Sequence, residues 1–469
     1  MEQLSLEEAR RRFGTGRRDP NGLLGVVGAG PKALATAAKS QVLRELGVQV
    51  PRVVVVEPHG VAANWTAVGG RTNGRPRLST SPEKDLGFPY ASDAYGPLTT
   101  EVNARMQQFG WAGYLVSRGE YATWVDSGRP SPRHSTWAAY LRWAADRMDF
   151  CLVRGAVCAL EIAGDQWEVT VEGVGGDEAV LLLDQMMISG PGPHDGLLAG
   201  DATRSVEDFW RRGLDTDAPE PSVAVVGGGE TAAAITEYLM HQHAGSTTVI
   251  SPQPVVYSRG EGYFENALYS RPERWRELSE QDRRDVIART DRGVFSPRAI
   301  EAITTDARVE HRQGTVISLR RDGGQTELVL SNPGRADRAL RFDVVIDATG
   351  ARPDWFLDLF GAVARKAVQR AVGDADDGAR ALERRIGEDL ALEGVVPRLL
   401  LPTLAGYEQG PGFANLSSLG LLSDRVLGAA RRVRAVATDP DPADGRETGA
   451  FDGQVRAAVS TAVLGGGEA

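Results

Sequence analysis

Twice in this chain a short apolar run passes directly into Gly-x-Gly-x-x-Ala and then into a segment with helical spacing, a repeat that few folds accept. The first copy is Leu23 to Val27, then Gly28, Gly30 and Ala33, with a helix expected from Lys32 to Leu46 and a strand from Arg52 to Glu57. The second is Val223 to Val226, then Gly227, Gly229 and Ala232, a helix from Glu230 to about His241, and a strand from Thr247 to Ser251. Small residues at those places let the backbone turn tightly and let a pyrophosphate approach the helix N-terminus. Two such βαβ units predict an α/β chain with two dinucleotide-binding, Rossmann-like domains.

The residue closing each unit separates the two sites. Glu57 ends the first, where a carboxylate can accept both ribose hydroxyls of an adenosine. Ser251-Pro252 ends the second, and without an acid to repel a 2'-phosphate, NADP is favoured over NAD. Two nucleotide sites exclude most single-cofactor dehydrogenases. They pair as FAD at the first and NADPH at the second.

Composition narrows the partners. The chain has 469 residues, about three times a typical domain, so two or three domains are expected. With 53 basic and 63 acidic residues the net charge is -10, the wrong sign for a nucleic-acid partner. No apolar run reaches the roughly 18 to 20 residues a bilayer requires, so no membrane partner is expected. The opening MEQLSLEEARRRF lacks the apolar core of a signal peptide, which favours the cytoplasm. Cys151 and Cys158 form no CxxC pair, which excludes a dithiol reductase, and both are expected as buried thiols. The six histidines show no metal-ligand spacing, so no metal is expected.

The domain plan follows from the order of these signals. Residues 1–20 read as a charged N-terminal extension that can hold one helix. The FAD domain is discontinuous, 21–218 and 348–432, around an inserted NADPH domain at 219–347. Within the insert, 255–298 carries aromatic- and Arg-rich helical patches and reads as a small substrate-binding segment. Residues 433–469, rich in Ala, Asp, Gly and Pro, read as a weakly ordered tail. The irregular Trp-, Gly- and Pro-rich stretch Asn64 to Pro97 is long enough to be functional.

A resemblance adds chemistry to this frame. The runs GAGPKALA (28–35), ANWTAVGG (63–70), LSTSPEKDLGFPY (78–90), GGGETAA (227–233), RGEGYFENALYS (259–270), RTDRGVFS (289–296) and LPTLAGYEQGPGFANLSSLGLLSDRVLG (401–428) resemble the actinobacterial lysine N6-hydroxylases of mycobactin- and nocobactin-type siderophore pathways. These belong to the flavin N-hydroxylating monooxygenases that act on lysine or ornithine. The resemblance runs from about residue 23 to 430. It implies that NADPH reduces FAD, that O2 adds to give a C4a-hydroperoxyflavin, and that the neutral side-chain amine of L-lysine takes the distal oxygen. No catalytic triad is then needed.

By the same resemblance Lys84 pairs with the substrate carboxylate, Asn266 assists it, and Ser423 lies near the substrate. Gly412, Asn415 and Leu416 belong to a late segment closing over the isoalloxazine, and Trp65 packs near the flavin. Glu230 and Thr231 open the helix at the NADPH site, and Arg259 is the candidate for the NADP phosphate. An asparagine of the ornithine enzymes has no equivalent in TDRGVFS, where Asp291 and Arg292 stand instead. The amine end is expected to be lined by neutral groups, since a carboxylate there would keep the amine protonated. Self-association is a further implication. Baeyer–Villiger and flavin-containing monooxygenases are disfavoured by the lack of FxGxxxH. An ornithine N5-hydroxylase, a relative feeding N–N bond formation, and a non-catalytic FAD/NADPH sensor stay open.

Overall fold

Both glycine motifs lie between a buried parallel strand and the helix that follows it. The computed structural model describes residues 1–15, 19–193, 198, 201–373 and 378–428; the expected tail at 433–469 lies outside them. In chain order the strands of the two large parallel sheets are β1 (Glu2–Leu4), β2 (Leu23–Val27), β3 (Arg52–Val56), β4 (Cys151–Val153), β5 (Gln185–Ile188), β6 (Arg204–Ser205), β7 (Ser222–Val226), β8 (Ser246–Ser251), β9 (Val309–Gln313), β10 (Val344–Asp347) and β11 (Arg398–Leu400). They form a six-stranded sheet, β1-β4-β3-β2-β5-β11, and a five-stranded sheet, β9-β8-β7-β10-β6.

In each sheet the glycine-motif strand has its sequential partner on one side and a late strand on the other. β2 lies between β3 and β5, and β7 between β8 and β10. Such reversals open a crevice at the carboxyl ends of the strands, where open α/β sheets bind ligands. Three-stranded antiparallel sheets accompany both units: Ala156–Ala163, Gln166–Glu172 and Glu178–Leu183 with the first, Thr315–Asp322, Gln325–Ser331 and Arg338–Phe342 with the second. The alternation of Trp167, Val169 and Val171 is that of the middle strand, all three being buried.

The helices that matter for the site are α1 (Leu6–Phe13), α2 (Pro31–Glu45), α3 (Glu230–Met240), α4 (Tyr263–Ser270) and α5 (Leu419–Leu427). Proline at its first position and a run of small residues suit α2 to a helix buried on most sides. α5 packs along it.

Two boundaries are corrected. The N-terminal extension does hold one helix, α1, but it belongs to the first unit: β1 pairs in parallel with β4, and α1 buries Leu6, Ala9 and Phe13. The Ser5–Glu8 capping box starts that helix, and its charges lie on the outer face. The second sheet also begins before residue 219, because β6 pairs with β10 and the helix Val206–Arg212 buries Phe209 and Trp210 in that unit's core. Cys151 is buried, whereas Cys158 is exposed on Ala156–Ala163, against expectation. Among the described residues no helix is long and apolar enough to cross a membrane, and no cluster of His, Cys, Asp and Glu could hold a metal ion.

Candidate functional site

The first glycine loop is shaped for a phosphate. Gly28 has φ +94°, in the region that favours glycine, and Gly30 caps α2 with nothing within 4 Å of where a Cβ would stand. The α2 N-terminus therefore faces open space. Glu57, just beyond β3, accepts from His59 N at 2.8 Å and from Ala29 N at 3.4 Å, which fixes its carboxylate beside the loop. These features fit the adenosine and pyrophosphate of FAD. Lys32, one residue into α2 from Pro31, is buried with its Nζ donating to Ala414 O at 2.7 Å and Thr403 Oγ1 at 2.9 Å. Burial pushes that ammonium down to about 7, with Asp291 opposing the shift. Lys32 was overlooked in the sequence, although it sits inside the motif.

The second loop repeats the geometry. Gly227 has φ +148°, and a side chain there would collide with the Ala348 carbonyl; Gly229 caps α3 and faces open space. This fits the pyrophosphate of a second nucleotide. Ser251 is buried at the end of β8, and its Oγ lies 3.0 Å from His311 Nε2. Gln253, two residues on, lies against Gly228 and Gly293, and its Oε1 has no hydrogen-bond partner among the described residues. It is the polar side chain that sequence reasoning missed at this strand end.

Glu230 and Thr231 line a cavity of about 200 Å³ between α3 and the 64–79 loop, with Trp65, Arg71, His134 and Arg298. Glu230 Oε1 is buried with no partner among the described residues, and burial pushes the carboxyl up to about 7 against the pull of Arg259. Trp65 meets His134 edge-on at 5.0 Å. Burial also pushes His134 down to about 4, so that ring is neutral.

A third cluster draws on three distant stretches. Lys84 Nζ donates to Asn266 Oδ1 at 2.7 Å and to Ser417 Oγ at 3.4 Å, and lies 5.9 Å from the centre of the Tyr269 ring. Burial is the main cause lowering Lys84 to about 8, and nearby Arg259 adds to it. The loop carrying Lys84 is tied by its neighbour: Asp85 accepts from Trp111 N and Tyr90 OH, each at 2.7 Å, and burial raises its carboxyl to about 6. Asn266, on α4, also donates from Nδ2 to Glu261 O at 2.6 Å, which leaves its Oδ1 aimed at Lys84.

The late segment frames this cluster. Asn415 donates to Asp291 Oδ1 at 2.9 Å and accepts from Ser417 N at 2.8 Å. Gly412 packs so closely on the Tyr269 carbonyl that a Cβ would overlap it, so this glycine lets the segment dock on α4. Leu416 packs against the core of the first unit. Arg259 is mostly buried, 3.6 Å from Glu261. Ser423 stands apart: fully buried in α5, it donates to Gly420 O at 2.7 Å in its own helix. Ser417, not Ser423, is the serine that reaches Lys84.

Comparison with known proteins places this arrangement. The family model for L-lysine 6-monooxygenase/L-ornithine 5-monooxygenase matches residues 97–353. L-lysine N6-monooxygenase MbtG of Mycobacterium sp. (strain MCS) is 46% identical over 423 residues, covering 89% of this chain and 97% of that protein. The chain belongs to this lysine/ornithine monooxygenase family. MbtG of Mycobacterium tuberculosis (strain ATCC 25618 / H37Rv) is 45% identical over 415 residues, with 87% and 95% covered. Lysine monooxygenase NbtG from Nocardia farcinica superposes with a TM-score of 0.78 at 46% identity, covering 87% of this chain and 100% of that one. The ornithine N-hydroxylase KtzI of Kutzneria sp. 744, with a TM-score of 0.69 but only 18% identity, shares the fold. Within the family's two-nucleotide architecture, the Lys84–Asn266 cluster lies where the first unit, the inserted segment and the late segment meet.

Proposed function

We propose that this chain is an FAD- and NADPH-dependent L-lysine N6-monooxygenase that supplies N6-hydroxylysine for a hydroxamate siderophore or a related metabolite. Within the family frame, the observation that carries the substrate reading is the Lys84–Asn266 contact, formed across 182 positions of sequence. A cation and an amide on one carboxylate fix the direction of an amino acid's side chain. Gly28, Gly30 and Glu57 hold FAD, and Gly227, Gly229 and the start of α3 hold NADPH. Flavin, when bound, supplies the O2-activating chemistry, and the protein positions the amine and keeps water away. A cytoplasmic location, where NADPH is regenerated, goes with this reading.

Product per NADPH, measured for lysine and ornithine from pH 6 to 9, tests the assignment. Lysine is expected to couple NADPH oxidation to hydroxylation. Ornithine, about 1.3 Å shorter on ordinary covalent geometry, is expected to couple poorly. Equal coupling would overturn the assignment to lysine.

The buried Glu230 carboxyl, whose Oε1 has no partner among the described residues, gives a second expectation. Below about 7 it is neutral, and above it is an anion at the helix end meant for a pyrophosphate. NADP+ affinity, measured by titration calorimetry, should therefore fall as pH rises through 7, and Glu230→Gln should flatten that fall. An unchanged pH profile in the variant would detach Glu230 from the nucleotide.

A further inference from the structure

The short loop before α4 is anchored at both ends. Arg259 N donates to Phe295 O at 2.8 Å and Gly260 N to Arg289 O at 2.9 Å. Beyond the loop, Asn266 N donates to Gly262 O at 3.0 Å while its side-chain amide holds Glu261 O at 2.6 Å. A Cβ at Gly262 would stand 2.6 Å from Glu265 Oε2, and one at Gly260 would stand 3.2 Å from Thr290 Cγ2. Between these two glycines the loop displays Glu261.

The Glu261 carboxylate lies 3.6 Å from Arg259 and is attracted across space by Lys84. Lys84 feels the same attraction, yet its ammonium donates to Asn266 and Ser417 and makes no direct ion pair with Glu261. Partial burial lifts Glu261 above the usual carboxylate range. An anion and a cation kept near each other but apart complement a zwitterion, in which opposite charges sit on one carbon and its carboxyl. A carboxylate anchor alone would treat 6-aminohexanoate like lysine. It would also repel an α-ammonium brought beside Lys84 and Arg259.

Resting on the reading of Lys84 and Asn266 as the carboxylate anchor, we propose that Glu261 receives the substrate's α-ammonium, so that the site selects an α-amino acid over an ω-amino acid of equal length. The selectivity comes from a charge-assisted contact that only the α-amino compound can make. Glu261 is also the group that offsets the two cations when that ammonium enters.

The test uses holoenzyme variants with two ligands: L-lysine as substrate, and 6-aminohexanoate as its competitor. Glu261→Gln, at an exposed position, is expected to raise the Michaelis constant for lysine by about tenfold or more. The inhibition constant of 6-aminohexanoate should stay where it was. Lys84→Ala, the separate arm, should weaken both ligands. If Glu261→Gln weakens both equally, weakens neither, or acts only on NADP+ affinity through Arg259, the inference is overturned while the Lys84 result still supports the anchor. If Lys84→Ala weakens neither ligand, the anchor reading fails and this inference falls with it.

Discussion

Lys84→Ala should raise the apparent Michaelis constant for lysine by about 10- to 150-fold, the equivalent of roughly 1.5 to 3 kcal/mol for one charge-assisted contact to a carboxylate. NADPH oxidation should persist and leak to hydrogen peroxide, because Lys84 touches Asn266, Ser417 and Tyr269 and neither glycine loop. FAD content of the purified variant should match that of the unmodified enzyme. Lysine hydroxylation at unmodified levels, at both low and saturating substrate, would remove Lys84 from the site.

The pH profile adds a sign to this expectation. Lys84 is lowered to about 8 chiefly by burial, so in the free enzyme its ammonium is lost as pH rises through that value. Carboxylate capture needs the charged form, and kcat/KM reports the free enzyme and free substrate. The lysine kcat/KM should therefore turn down above about 8, against the upward pull of the substrate amine, whose reference pKa is about 10.4. Lys84→Arg keeps its charge across this range and should lack the downturn. A downturn that survives in the arginine variant belongs to another group.

How far the sequence reaches depends on how local each signal is. The βαβ units are legible because glycine turns, the Ala-rich helix and the Val-rich strands all lie within about 35 consecutive residues. β1 is not, because a three-residue strand carries no period and gains its meaning only from pairing with Cys151–Val153, far along the chain. Its capping box, Ser5 with Glu8, was the available clue that the following helix is ordered. The strand end at Ser251 is legible, but which way its hydroxyl turns depends on His311 of the neighbouring strand. No spacing links Lys84 to Asn266 or reveals that Ser417 joins them; the family resemblance nominated the first two, and the fold supplied the third. The hydroxyl of Ser423 is satisfied within its own helix, which no sequence pattern announces.

The largest stability effect should come from a buried ion pair that no local pattern announces. Lys39 on α2 and Asp424 on α5 meet at 2.5 Å with side chains 1% and 8% exposed. The Tyr95 hydroxyl donates to the same carboxylate oxygen, while Asp424 Oδ2 has no partner among the described residues. Removing one partner strands a charge in the interior, so Lys39→Met should destabilise by about 3 to 5 kcal/mol. Pairing it with Asp424→Leu removes the stranded charge, yet it leaves the Tyr95 hydroxyl buried without an acceptor, itself a cost of about 1 to 3 kcal/mol. Adding Tyr95→Phe removes that cost as well. Thermal midpoints of the holoenzymes should therefore be lowest for the single variant, higher for the double and higher again for the triple. Because α2 begins at the FAD loop and α5 follows the late segment, the single variant should also release FAD more readily, with the triple restoring retention. A single variant as stable as the unmodified protein would mean that the pair is hydrated rather than dry. A triple variant no better than the single would mean that the three side chains matter for packing and not for charge.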